Sequence, residues 1–216
     1  MFPLETLEDF FAKSGPIHYK KGATILHGGD EPRGVYFLKK GYVRLFSISN
    51  EAEELTLVIF KPQDFFPMIW ALNGSTNFDH FEAMTPVEVY RVPRAEFIQF
   101  LKEHPDVFSE LVTRILIRMS GLYQRMQYLA FGKAHSKVAS ILYICAERFG
   151  KKTGSNVVID VPLTHKDIAN LVGMTRETVS IEMKKLAQKG VISYKGKVVT
   201  VHDLVRLKEE SLFDED

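Results

Sequence analysis

The apolar positions along the chain change period three times. Between Pro16 and Pro93, the short runs Ala23–Leu26, Val35–Lys39, Tyr42–Ser47, Leu55–Phe60, His80–Ala83 and Val87–Val92 are cut by Gly, Pro and acidic turns. Many short strands with frequent turns predict a sandwich or jelly roll. Ahead of them, Leu4, Leu7, Phe10 and Phe11 recur at helical spacing and predict a short helix over residues 1–14. From Asp106 to Ala130 the period is helical again, now with two stripes. Val112, Leu116, Met119, Tyr123, Met126 and Ala130 follow steps of four and three, the spacing of a coiled-coil seam. Phe108, Leu111, Ile115, Leu122 and Leu129 form the other stripe, suited to packing on the β-roll. About 100 residues precede this helix, too few to cover both stripes, so the seam is expected to join two copies of the chain.

Phe131-Gly132-Lys133 is the expected hinge, a further helix runs to Phe149, and Lys151–Asn156 (KKTGSN) reads as a polar loop. The pattern from Pro162 to Val201 is the most detailed in the chain. Thr164 and Asp167 have capping-box spacing, and Ile168, Leu171 and Val172 mark a short amphipathic helix. Gly173 permits a sharp turn, after which Thr175 caps a second helix lined inside by Val179, Met183 and Leu186. Arg176, Glu177, Ser180, Ile181 and Lys184 share its opposite face. A helix-turn-helix lays such a face in the major groove of DNA. Val191–Tyr194 and Lys197–Val201 alternate around Lys195-Gly196, a hairpin that reads as a wing.

The run Leu163…Ile168-Ala169…Val172-Gly173-Met174-Thr175-Arg176-Glu177-Thr178-Val179-Ser180 resembles the winged helix-turn-helix of the CRP/FNR family of bacterial transcription regulators. Lys21-Gly22-Ala23…Gly28-Gly29-Asp30…Val35-Tyr36-Phe37-Leu38…Gly41-Tyr42-Val43-Arg44 resembles the first half of a cyclic-nucleotide-binding β-roll. The fold class expected is α+β. It comprises an N-terminal jelly-roll β domain over 1–104, a long dimerisation helix and hinge over 105–132, and a C-terminal winged helix-turn-helix over 133–216. The resemblance implies a homodimer on an inverted-repeat site in double-stranded DNA that also contacts RNA polymerase. Arg176 and Glu177 would read bases as in the family, joined by Ser180 and by Ile181, which stands where the family usually has a basic residue. Thr164, Lys166, Thr175, Thr178 and Lys184 would hold phosphates. An effector-binding module whose C-terminal domain makes protein contacts is the alternative. An enzyme is not expected, since no nucleophile–base pair or P-loop is legible.

Charge sharpens this division. Residues 133–208 hold 14 Lys+Arg against 6 Asp+Glu, a net +8, whereas residues 1–132 are at −2. The basic excess lies where phosphates would be bound. The acids of 209–216 read as a solvated end. No apolar run approaches the roughly 20 residues of a membrane span, and the opening MFPLETLEDFF is acidic where a signal peptide is basic. A soluble cytoplasmic protein is expected. The single Cys145 leaves no internal disulfide or cysteine-ligated iron–sulfur cluster within one chain and suits packing. The seven His show no short metal-ligand spacing.

One stretch departs from the family. Cyclic-AMP-binding members carry a Gly-Glu pair and then Arg-Ser or Arg-Thr for the cyclic phosphate, and a buried phosphate needs such a cation. Here Pro67-Met68 and Asn77-Phe78 fall at those places, with no Arg between Lys61 and Tyr90. Leu122 and Tyr123 stand where the long helix would offer base-contacting hydroxyls. Control by cyclic AMP is therefore not expected. The residues left, Phe65, Phe66, Met68, Trp70, Phe78 and Phe81, would be either a filled core or a pocket for an apolar effector. The second option would add Asn77, Leu122 and Tyr123. Haem would need axial ligands, for which His80 has no evident partner.

Overall fold

Val35, Tyr36, Phe37 and Leu38 are all buried. Successive side chains of a strand point to opposite faces, so such a run must have a core on either side. The computed structural model describes residues 3–213 and supplies both cores. One four-stranded sheet takes the order β1 (Ile17–Tyr19), β8 (Val87–Val92), β3 (Val35–Lys40) and β6 (Phe65–Phe66). The other takes β2 (Thr24–Leu26), β7 (His80–Ala83), β4 (Val43–Ile48) and β5 (Glu54–Phe60), and every pairing is antiparallel. Tyr36, Leu38, Val43, Phe60, Phe66 and Phe81 fill the interior of this roll. Val35, Phe37 and Phe65 face outward into a second core, closed by α1 (Pro3–Ala12), α2 (Met68–Asn73), α3 (Arg94–Glu103) and α4 (Pro105–Phe131). Gly28 has to be glycine, because a Cβ there would lie 2.3 Å from the Phe78 carbonyl oxygen.

Several expectations are corrected. β1, β6 and α2 were not foreseen, being short and lacking a clear period. The stripe of α4 on the roll is Val107 and Leu111, both buried, whereas Phe108 and Leu122 are exposed. Residues 107 and 111 are one helical turn apart and share a face that 108 leaves. In α1, Leu7 and Phe11 are buried; the side chain of Leu4 lies outside the described residues, as do residues 214–216 of the acidic end.

The chain divides into two compact units, Met1–Met119 and Ser120–Asp216. The break at Gly132-Lys133 thus lies inside the second unit rather than at the division, because Arg125 and Tyr128 before it are buried there. Arg125 donates to the Leu171 carbonyl at 2.5 Å. After α5 (Ala134–Phe149), the stretch expected as a loop is a hairpin of β9 (Gly150–Thr153) and β10 (Asn156–Ile159). It joins β12 (Val198–Val201) and β11 (Ile192–Lys195) in a sheet of order β11-β12-β10-β9. The wing turn is Gly196-Lys197, one residue later than expected, since Lys195 pairs with Val198 and Gly196 takes the left-handed φ of 62°. Cys145 is buried, and burial pushes its thiol up to about 12, consistent with packing.

The second unit carries a buried charge cluster. Glu182 of α7 (Arg176–Gln188) is 6% exposed, and its Oε2 lies 2.8 Å from Nδ1 of His135. Nε2 of His135 lies 2.8 Å from Glu210, which follows α8 (Leu204–Glu209) and also receives Lys189. Glu210 is therefore a tether rather than part of a solvated end. Burial favours the neutral form of Glu182, but hydrogen bonds from Lys185 and His135 outweigh it and hold the carboxyl below its usual value. At Glu210 the Lys189 bond is the largest influence and acts in the same direction. Both groups bind protons more weakly in the folded chain than in the unfolded one. Their stabilisation is complete above the ordinary value of 4.5 and is lost as pH falls through the lowered native values. The urea midpoint of the second unit should accordingly fall between about pH 5 and pH 3. Glu182→Gln should flatten that fall, and identical pH profiles for both proteins would contradict the assignment.

Candidate nucleic-acid interface

The interface is built from two capped helices and a turn. Thr164 caps α6 (His165–Val172): its hydroxyl accepts from the Asp167 N–H at 3.1 Å, and the Asp167 carboxylate accepts from the Thr164 N–H at 2.7 Å. This reciprocal pair fixes where the helix starts. Gly173 ends it at φ 62°, ψ 47°, a left-handed conformation that glycine adopts without penalty, and its N–H donates to the Ala169 carbonyl. Two residues later the Thr175 hydroxyl accepts from the Thr178 N–H at 3.2 Å and starts α7. Val179, Met183 and Leu186 are fully buried, which sets the rotation of α7 about its axis.

That rotation leaves Arg176, Glu177 and Lys184 exposed on one face with Ile181, which is 56% exposed. More than half of the Ile181 surface is thus open. The face presents a guanidinium, a carboxylate, an aliphatic branch and an ammonium over about two helical turns. Ser180 sits among them but is half-buried, with its Oγ 3.2 Å from Nδ1 of His165. Lys166 is exposed at the start of α6. Thr164, Thr175 and Thr178 lie at the two helix starts with their hydroxyls already bonded within the caps; Oγ1 of Thr175 and of Thr178 are 2.9 Å apart. Two residues at this surface were not singled out from the sequence, His165 and Tyr194. Their ring centroids are 5.1 Å apart. The only signal was the position of His165 directly after the cap, which does not reveal what it touches.

Within the stretch expected to form a filled core or an effector pocket, the strand pleat sends Phe65 and Phe66 to different cores. Phe65 points into the core under the helices, while Phe66 stacks on Phe81 and Tyr36 inside the roll, with ring centroids 5.2 and 5.3 Å apart. Trp70 packs against the helix-side core, and Met68 touches both cores. The Asn77 side chain donates to the Asp79 carbonyl at 2.7 Å, and its backbone carbonyl accepts from the Gly29 N–H at 2.8 Å, so it organises a loop. Phe78 is 77% exposed. Leu122 and Tyr123 are exposed on the part of α4 that belongs to the second unit.

Two cations missing from the local sequence arrive from α4. Arg118 donates to Asp64 Oδ1 at 2.7 Å and contacts Met68 Sδ at 2.9 Å, while Arg114 donates to the Gln63 carbonyl at 3.0 Å. Asp64 is 4% exposed, and its other oxygen accepts from the Lys61 N–H at 2.9 Å. Beside this pair lies a cavity of about 10 Å³ lined by Asp64, Phe65, Met68, Leu111, Arg114, Ile115 and Arg118. It has room for about one water.

Residues 16–104 match the description of a cyclic nucleotide-binding domain and residues 136–210 that of a Crp-like helix-turn-helix domain. A global nitrogen regulator from Nostoc sp. is 32% identical over 89% of this chain and 87% of its own length. A CRP/FNR-family transcriptional regulator from Thermus thermophilus superimposes with a TM-score of 0.69 at 27% identity, covering 91% of this chain and 97% of that one. A CooA variant from Carboxydothermus hydrogenoformans shares the fold with a TM-score of 0.78 at 24% identity, covering 97% and 95%. With its β-roll, long helix and helix-turn-helix accounted for by these relatives, the chain belongs to the CRP/FNR family of transcription regulators, which bind DNA through that last domain.

Proposed function

We propose that the protein is a homodimeric, sequence-specific regulator that binds an inverted repeat and is not controlled by cyclic AMP. The observation carrying the DNA-reading part is the exposed row Arg176, Glu177, Ile181 and Lys184 on a helix whose other face is fully buried. Arg176 offers two donors that match guanine O6 and N7, Glu177 can accept from cytosine N4, and Ile181 can pack on a thymine methyl. Lys166, Lys184 and the cap threonines would contact phosphates and set register without reading sequence. RNA polymerase contact follows by analogy with the family, and the compartment would be the cytoplasm.

Dimerisation is supported by the stripe on α4. Val112, Leu116, Met119, Tyr123 and Met126 are 37–66% exposed, although all but Tyr123 are purely apolar side chains. They span about 21 Å of helix at seam spacing. Such a stripe is stable only if covered, and an identical helix related by a two-fold axis covers it with the same residues. Loss of cyclic-AMP control is supported by the chemistry around Met68. The guanidinium beside it, Arg118, is already neutralised by buried Asp64, and Met68 offers a ribose hydroxyl no carboxylate.

Met119→Glu should place like charges across the two-fold axis and give a monomer with little specific DNA affinity. Sedimentation of that variant as a dimer would disprove the seam. Calorimetry with cyclic AMP should register no binding at micromolar concentrations, and tight binding would overturn the reading of the pocket. Selection of bound sequences from random DNA should return half-sites with at least one fixed G·C pair, their centres about 34 Å apart. Arg176→Ala should cost about 1–3 kcal/mol and relax one base pair, whereas Lys166→Ala should weaken all sequences alike and lower the salt slope by about one. An unchanged half-site for Arg176→Ala would mean that another face reads the DNA.

A further inference from the structure

His165 is the first residue of α6, directly after the cap Thr164. Its placement is set by the Thr164–Asp167 box, which orients the opening turn of the helix. Nδ1 lies 3.2 Å from Ser180 Oγ on α7, and the ring meets Tyr194 of β11 edge-on at 70°, 5.1 Å between centroids. One imidazole therefore links the start of the first helix, the outer face of the second and the wing.

A serine hydroxyl carries one hydrogen and two lone pairs and rotates freely. Facing a base edge by itself, it can serve a donor or an acceptor and discriminates poorly. A ring nitrogen within hydrogen-bond reach removes that freedom. If Nδ1 carries the lone pair, it takes the Ser180 hydrogen and leaves only lone pairs for the DNA. Those suit adenine N6 or cytosine N4. If Nδ1 carries the proton, Ser180 must accept it, and its own hydrogen is left for guanine O6 or N7, adenine N7 or thymine O4.

Accordingly, we propose that His165 is a specificity-positioning residue: its ring, buttressed by Tyr194, fixes the polarity with which Ser180 meets one base pair of the half-site. The inference rests on the reading above that the outer face of α7 contacts bases. Burial, and after it the positive charge of Arg176, lowers the pKa of His165. The ring is thus kept neutral at neutral pH, with one lone pair and one N–H. Tyr194 packs edge-on against that ring while its Nδ1 faces Ser180. His165 itself need not touch DNA to act, because the hydroxyl carries the information.

The test is sequence selection from random DNA with the full-length protein and five variants: His165→Ala, His165→Asn, Ser180→Ala, Arg176→Ala and the His165→Ala/Ser180→Ala double. Ser180→Ala should lower the preference at one base pair by roughly two- to tenfold, the worth of one hydrogen bond. His165→Ala should lower it at the same pair to the same extent, and the double variant no further, since the two residues act as one unit. His165→Asn, whose side-chain amide can stand in for Nδ1, should keep a preference there. The pair lost in Arg176→Ala should stay fixed in the other variants, which also shows that they are folded. Preference intact in His165→Ala at the pair that Ser180→Ala relaxes would overturn the proposal, as would losses that multiply in the double. If Ser180→Ala relaxes no pair, the proposal fails while the role of Arg176 stands. If the wild-type protein selects no sequence, both the DNA-reading assignment and this inference fall.

Discussion

The periodicity of one helix governs this structure. At 3.6 residues per turn, α4 can present separate faces along one axis. Val107 and Leu111 are buried in the first unit, and Arg118 reaches Asp64 there. Arg125 and Tyr128 are buried in the second unit. The stripe between and beside them, from Val112 to Met126, is apolar yet exposed. The helix thus carries core residues for two separate units and a third apolar stripe that is exposed. The dimer proposed above is the arrangement in which the same sequence covers that stripe.

The region around Asp64 follows from another constraint, the cost of a buried charge. Asp64 is held inside the fold by the turn it caps, and an unpaired carboxylate there would be strongly unfavourable. Arg118 satisfies it and packs along Phe60 and Met68 as it does so. The two aromatic residues of β6, Phe65 and Phe66, fill different cores. The region therefore reads as a joint between roll and helix, stiffened by an ion pair and by stacked rings.

At the other end of the chain, capping and core packing hold a polar face in register. Glu182 is the unusual feature, a carboxylate on the inner side of the recognition helix tied to His135 and, through it, to Glu210. It fastens α7 to α5 and to the end of α8. Lys185 completes the charge balance from α7 itself.

Periodic and capped segments were legible in the sequence by themselves. β7 and β8 fall at His80–Ala83 and Val87–Val92, and α6 begins at the Thr164–Asp167 box with Gly173 closing it. In each, the deciding interaction lies within a few residues, so local spacing encodes it. The exposed face of α7 was legible for the same reason, since it lies opposite Val179, Met183 and Leu186, which are buried at helical spacing. Tertiary structure alone decided which of two adjacent residues, Val107 or Phe108, enters the core, since that depends on the rotation of α4 against the roll. It also decided that Phe65 and Phe66 part company, that a polar stretch pairs as β9 and β10, and that Arg118 finds Asp64 across 54 residues. The contacts of His165 with Ser180 and Tyr194, and of His135 with two distant carboxylates, belong to the same class. The pairs Arg118–Asp64, His165–Ser180 and His135 with its two carboxylates join side chains far apart in the chain, and no local period or cap records such a partnership; it exists only once the backbone has brought the elements together.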